Sequence, residues 1–215
     1  MDDATALEAW IGGDVRAGQV LVRRHYDRIL LFFYSKVSSE VARDLTQSTF
    51  ETLCAKGSGF RGRSSLTTYL FGIARWKLVH HFRNEQTHRR RFDPLRDSAA
   101  DPVVDVTISS LFEGRRRQTL VVRGLRTLPL DDQVLLELKD YEGLTGRQIA
   151  EIFEMNRPAV AARISRARKR LAKAVHQLSL STGSVEDTDT DIDACMGQIR
   201  QTFQTVMGVA VPVRS

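Results

Sequence analysis

Cysteine and proline are scarce in this chain. Its 215 residues include two cysteines, Cys54 and Cys195, far apart and without CxxC or Cys/His ligand spacing. That excludes a disulfide scaffold and leaves reduced thiols as the expectation. Only five prolines and fourteen glycines occur, and no alternation of β-branched and polar residues recurs, so a β-rich fold is not indicated. Long apolar runs are also missing. The longest, Ile29 to Tyr34, falls far short of the roughly 20 residues a membrane span needs. The opening MDDATALEAW has neither a basic nor an apolar leader region, so no signal peptide is expected and the expected location is the cytoplasm.

What is present suits a packed helical protein. Hydrophobic residues make up 42% and charged residues 27%, enough for a core and too balanced for wholesale disorder. The length allows one large domain or two small ones. The net charge of +6 suggests a polyanionic partner, and its distribution says more. Leu144 to Leu178 holds eight Lys/Arg against two Glu, whereas Val185 to Asp193 holds five acids and no base.

Helical periodicity predicts four stretches in the first half. They are Ala4–Ile11; Val15–Val37, with Val20, Leu21, Ile29, Leu30, Phe33 and Val37 on a stripe; Glu40–Ala55; and a helix capped by Ser64 or Ser65 that runs through Tyr69, Leu70, Ile73, Ala74, Lys77 and Phe82. Residues 93–110 turn rich in Asp, Pro, Ser and Ala, and read as a flexible linker. The expected fold class is therefore all-α: one helical domain over 1–92 and a second over 111–178, followed by an acidic tail and weak amphipathic extension over 179–215.

The strongest local signal runs from Thr145 to Val175. A first helix, Thr145–Phe153, turns inward Ile149, Ala150 and Phe153; Glu154-Met155-Asn156 makes a short turn; and a second helix starts near Arg157, with Pro158 where a missing N–H costs nothing. Val160, Ile164, Ala167 and Leu171 supply its packing face. This is a helix-turn-helix, whose second helix enters the DNA major groove. Arg157, Arg163, Arg166, Arg168, Lys169, Arg170 and Lys173 are expected on its exposed face, to read guanine or hold phosphate. A solvated basic face is the plainer alternative.

Two blocks resemble the sigma-70 superfamily in its extracytoplasmic-function group. The second block, LRTLPLDDQVLLELKDYEGLTGRQIAEIFEMNRPAVAARISRARKRL, is similar to the domain that binds the −35 promoter element. The first resembles the domain that binds polymerase and melts the −10 element, through Gly13-Asp14, LVRRHYDRIL, DLTQSTFETL, FRGRSSLTTYLFGIAR and HHFR. The resemblance implies a sigma factor, not an enzyme, whose partners are core RNA polymerase (through its β′ coiled coil and β flap) and promoter DNA, with no cofactor and no membrane. Trapping unstacked bases wants aromatic platforms beside cations. Phe60, Arg61, Arg63, Ser64, Ser65, Tyr69, Arg75 and Trp76 form the expected −10 set; Phe71 and Phe82 read as core.

The sequence departs from the family pattern in three places. Trp76 and His80 stand where Asn and Asp are common, Ala161 where a DNA-reading Arg is frequent, and Arg43 and Ser48 replace acids in the polymerase-docking helix. Asp44, Gln47, Ser48 and Glu51 form the expected docking face, with Ser48 exposed and Thr49 half-buried. Phosphorylation of Ser48, or of Thr46 or Thr49 as second choices, would restore negative charge there. The further partners are accordingly a Ser/Thr kinase or an anti-sigma factor.

Other motifs carry less. Gly57 to Gly62 spells GxGxxG but follows a helix, not the strand a dinucleotide site requires. His80, His81 and His88 lack a metal-ligand geometry. The rival readings are a helix-turn-helix regulator that binds operator DNA without polymerase, and a single-stranded RNA-binding protein.

Overall fold

Side-chain oxygens set the helix starts of the first half. Asp2 accepts from Thr5 N at 2.9 Å, Asp14 from Arg16 N at 2.8 Å, and Ser38 from Val41 N at 3.5 Å. Each cap is worth about 1 kcal/mol. In the computed structural model they open α1 (Asp3–Ile11), α2 (Val15–Tyr34) and α3 (Ser39–Lys56). A single 3-10 turn over Gly57–Gly59 leads to α4 (Leu66–Phe92). Residues 1–60, 62, 64–92, 116–181 and 192–207 are described, without the side chains of 58, 86–92, 116, 192–193, 200 and 203–207. Among them there are nine α-helices and no strand, so the all-α expectation holds. No described helix is long and apolar enough to cross a membrane.

The chain divides into two units, Met1–Val104 and Asp105–Ser215. In the first, α2 packs on α1, α3 and α4 around Leu7, Leu21, Ile29, Phe33, Leu53, Leu70, Phe71 and Leu78. Phe71, expected in the core, is there; Phe82 is only half-buried. One crossing is set by a missing side chain: a Cβ on Gly18 would lie 2.5 Å from the Trp10 indole nitrogen, so α1 closes on α2 only over glycine.

The second unit contains α5 (Arg116–Arg126), α6 (Leu130–Asp140), α7 (Gly146–Phe153), α8 (Arg157–Ser181) and α9 (Ile192–Met207). Its core is built from Leu120, Val121, Leu125, Val134, Leu135, Leu138, Ile149, Val160, Ala167 and Leu171. Pro129 opens α6 without a side-chain cap; Gln133 instead donates to Leu128 O at 2.8 Å. The expected boundary at 178 is corrected at both ends of the tail: α8 continues to Ser181, and α9 packs on α5 and α6 as part of this unit.

Candidate nucleic-acid interface

The helix-turn-helix forms where its local signals place it. Thr145 and Gln148 make a reciprocal capping box that starts α7. Glu154 ends α7 in the left-handed region at φ 53°, where residues without a Cβ are favoured. Asn156 Oδ1 then accepts from Ala159 N at 2.8 Å and starts α8. Ala150, Val160, Ala167 and Leu171 are buried as expected, and Ile164 half-buried. A tighter contact lies elsewhere: a Cβ on Gly124 of α5 would approach Val175 Cγ2 of α8 to 2.9 Å.

The seven cations expected on one exposed face separate into two groups. Arg157, Arg166, Lys169 and Lys173 are exposed. Arg163 is not, and its assignment to the exposed face is corrected. Its Nε donates to Asp132 Oδ1 at 2.9 Å, a second nitrogen lies 3.4 Å from Asp131, and its guanidinium sits 5.8 Å over the Phe153 ring. Arg168 is also half-buried, donating to Asp140 at 2.8 Å. Arg170 keeps more solvent contact but bonds Asp132 as well. The Asp132 side chain is only 2% exposed, so its charge needs these partners. Between the outward cations, α8 shows the small Ala161, Ala162 and Ser165. Arg147, 76% exposed at the start of α7, adds a cation absent from the sequence-based set.

At the start of α4, the Ser65 hydroxyl lies 2.8 Å from that of Thr68 and accepts Thr68 N at 3.1 Å; Ser65 is therefore the cap, and Ser64 is half-buried beside it. Phe60 and Tyr69 are half-buried with ring centres 5.3 Å apart. Arg75 is half-buried. Arg61, Arg63 and His88 fall outside the described residues or side chains. Trp76 is 60% exposed. Its indole stacks on His80 at 5.3 Å with the planes 3° apart, and Lys77 Nζ lies 5.7 Å from it. His80 was absent from the expected set, although its i,i+4 spacing from Trp76 puts the rings side by side. Among the described residues, no group of three His, Cys, Asp or Glu is arranged to hold a metal.

On α3, Asp44, Gln47 and Glu51 are exposed, and Gln47 donates to Glu51 at 2.8 Å. Ser48 belongs to the same face but is half-buried, not exposed: Lys77 Nζ of α4 donates to its hydroxyl at 2.7 Å. Thr46 and Thr49 are corrected outright as modification sites. Both are completely buried, and their hydroxyls donate to Ala42 O and Leu45 O at 2.7 Å, so a kinase cannot reach them without unfolding α3.

A helical unit with an exposed ring pair among cations, and a second with a helix-turn-helix and a basic second helix, define a DNA-binding protein of the helix-turn-helix class. Comparison with known proteins narrows this. The Sigma-70 region 2 family matches residues 21–98 and the Sigma-70, region 4 family residues 119–171. The ECF RNA polymerase sigma-E factor of Haemophilus influenzae is 25% identical over 83% of this chain and 97% of its own. The RNA polymerase sigma-H factor of Pseudomonas aeruginosa is 28% identical over 82% and 95%. In fold, the chain is similar to the sigma factor RpoE solved in complex with the anti-sigma factor NepR from Bartonella quintana, with a TM-score of 0.56, 21% identity, and 73% of this chain and 95% of that one covered. The chain belongs to the sigma-70 family, in its extracytoplasmic-function group of RNA polymerase sigma factors.

Proposed function

We propose that this protein joins core RNA polymerase, performs no chemistry itself, and directs polymerase to promoters by reading the −35 element with α8 and holding unpaired −10 bases along α4, from its start to the Trp76–His80 pair. The observation that carries the reading is the pairing of two ordered family regions with two chemically distinct faces. The outward cations of α8 suit phosphate and base edges in a duplex groove. The Trp76–His80 pair, flanked by Lys77, suits stacking of unpaired bases, worth about 1–3 kcal/mol per base. A stand-alone operator-binding regulator would need the first face but not the second.

Docking on polymerase is assigned to Asp44, Gln47, Ser48 and Glu51 of α3. Phosphorylation of Ser48 is the regulatory part of this reading: it would add about −1.5 to −2 charges within reach of Lys77, which would offset part of the gain. An anti-sigma factor is the other candidate regulator, supported by the complex in which the solved relative occurs.

The test is run-off transcription with purified core polymerase on promoter templates. Specific initiation by the chain, lost in Trp76→Ala on duplex templates and regained on templates with a pre-melted −10 region, supports it. Tight duplex binding without polymerase, and no initiation with it, identifies the operator-binding regulator instead.

A further inference from the structure

The surface that the helix-turn-helix turns outward is not uniformly basic. Successive residues of α8 are about 100° apart, so Pro158, Ala161, Ala162 and Ser165 share one face over its first turns. All four are exposed. Arg157 and Arg166 stand at opposite edges of that face, about half a turn apart in direction and about 13.5 Å apart along the axis. Cations reach the middle of the face only farther on, at the exposed Lys169 and Lys173. The first turns of α8 therefore present a floor of small side chains between two arginines.

Two features keep this floor open. Val160 is buried and Ile164 half-buried, which settles the rotation of the helix about its own axis. Arg163, the long side chain next to Ala162, is drawn inward by Asp132 at 2.9 Å and by the Phe153 ring, so it does not fold over the alanines.

What such a floor recognises follows from its atoms. Guanine is read by paired N–H donors on a long side chain, and adenine by a side-chain amide. Pro158, Ala161 and Ala162 have neither. They offer apolar surface, and the apolar feature of base edges in the major groove is the C5-methyl group of thymine. The hydroxyl of Ser165 accepts more than one base pair and does not oppose this choice. Small side chains also let the helix sit low enough in the groove for methyl contact. Of the two arginines, Arg157 lies at the helix start, where side chains reach base edges, and Arg166 faces the opposite wall and its phosphates.

We propose that this alanine floor reads thymine methyl groups, so that the −35 element of this sigma factor carries adjacent T·A pairs where Ala161 and Ala162 face the groove, beside one position read by Arg157. The proposal rests on the reading above that α8 enters the −35 groove. Ala161 and Ala162 are then specificity-determining residues, and the ligand is a thymine-bearing duplex rather than a run of guanines.

The probe is duplex DNA with a randomised −35 region upstream of a pre-melted −10 region, bound by holoenzyme reconstituted from the full chain and core polymerase. Selection should enrich thymine, on either strand, at two neighbouring positions. Replacing a selected thymine by uracil removes the methyl group and keeps every hydrogen-bonding edge. It should weaken binding about fourfold per position, the worth of burying one methyl-sized group. In Ala161→Gly and Ala162→Gly the same replacement should make no difference at the facing position. Thymine and uracil are compared within one variant, so any loss of helix stability cancels. Ala161→Arg should move the preference at its position to guanine. A selected element insensitive to uracil overturns the proposal, because DNA shape and not the methyl group would then be read. So does selection of guanine at the positions facing the alanines in the wild type. If the holoenzyme selects no −35 sequence at all, the parent reading fails and the proposal falls with it.

Discussion

Arg163 on α8 donates to Asp132 on α6 across 2.9 Å, and this bond turns an apparent DNA-reading residue into a brace for the helix that presents the others. Asp132 is buried, and Arg170 bonds its other oxygen. Arg163→Ala should lower the stability of the second unit by about 1–3 kcal/mol, since a buried carboxylate loses one partner. Preference among −35 sequences should not change. Arg157→Ala should do the opposite, relaxing base choice by about 1–3 kcal/mol with little effect on melting. Thermal melting and competition binding across −35 variants, measured on both proteins, separate the two roles.

Ser48 is held by Lys77 at 2.7 Å, so the effect of a negative charge at this position depends on that lysine. Ser48→Glu should strengthen core-polymerase binding modestly, and more strongly when combined with Lys77→Gln, which removes the neutralising cation. Ser48→Ala should abolish any response to kinase treatment, whereas Thr46→Ala and Thr49→Ala should leave it intact and only destabilise α3. Equal core binding in all Ser48 variants, with or without Lys77, would remove the switch.

His25 is buried against Asp3, with its Nε2 2.8 Å from the carboxylate. Burial lowers its pKa below the ordinary 6.5, against the opposing pull of Asp3, and Arg24 and Arg28 add to the lowering. The unfolded chain therefore takes up this proton first on acidification. The contribution to stability is complete above about pH 6.5 and declines as the pH falls toward the depressed native value. Melting of the wild type should drop more steeply between pH 7 and pH 5 than that of His25→Gln.

Glu154 occupies a left-handed backbone position at φ 53°. That conformation costs a residue with a Cβ about 1–2 kcal/mol, and glycine returns part of the difference through its freer unfolded state. Glu154→Gly should therefore raise stability by about 0.5–1 kcal/mol, readable in a denaturant midpoint at unchanged slope.

Local signals were legible in the sequence, and long-range pairing was not. The Thr145–Gln148 box, the Ser65 cap and the turn at Glu154 each depend on neighbours within a few positions, so spacing alone located the helix-turn-helix. The partners of Arg163 and Ser48 lie 31 and 29 residues away, and helical spacing cannot reveal which charge is consumed inside the domain. Thr46 and Thr49 misled for another reason: a threonine hydroxyl that donates to the carbonyl four residues back needs no solvent. The last helix was legible as a weak amphipathic piece, but its seat on α5 and α6 follows from burial on both sides of α5, which a sequence stripe does not display.

Gly124 lets α5 close on Val175 and Leu171, so α8 is held there by α5 and nearer its start by Val160, Ala167 and the Arg163–Asp132 bond. The contact with α5 begins 14 positions beyond Arg157, about 21 Å along the axis at 1.5 Å per residue. On the proposed reading, the start of α8 carries the residues that meet the groove. A methyl group added at Gly124 would lie 2.9 Å from Val175 Cγ2, so that side chain or the helix carrying it must give way. The seating of α8, and with it the placement of the exposed Arg157, Arg166 and Lys169 proposed to meet the promoter, thus rests in part on a residue that contributes no side chain.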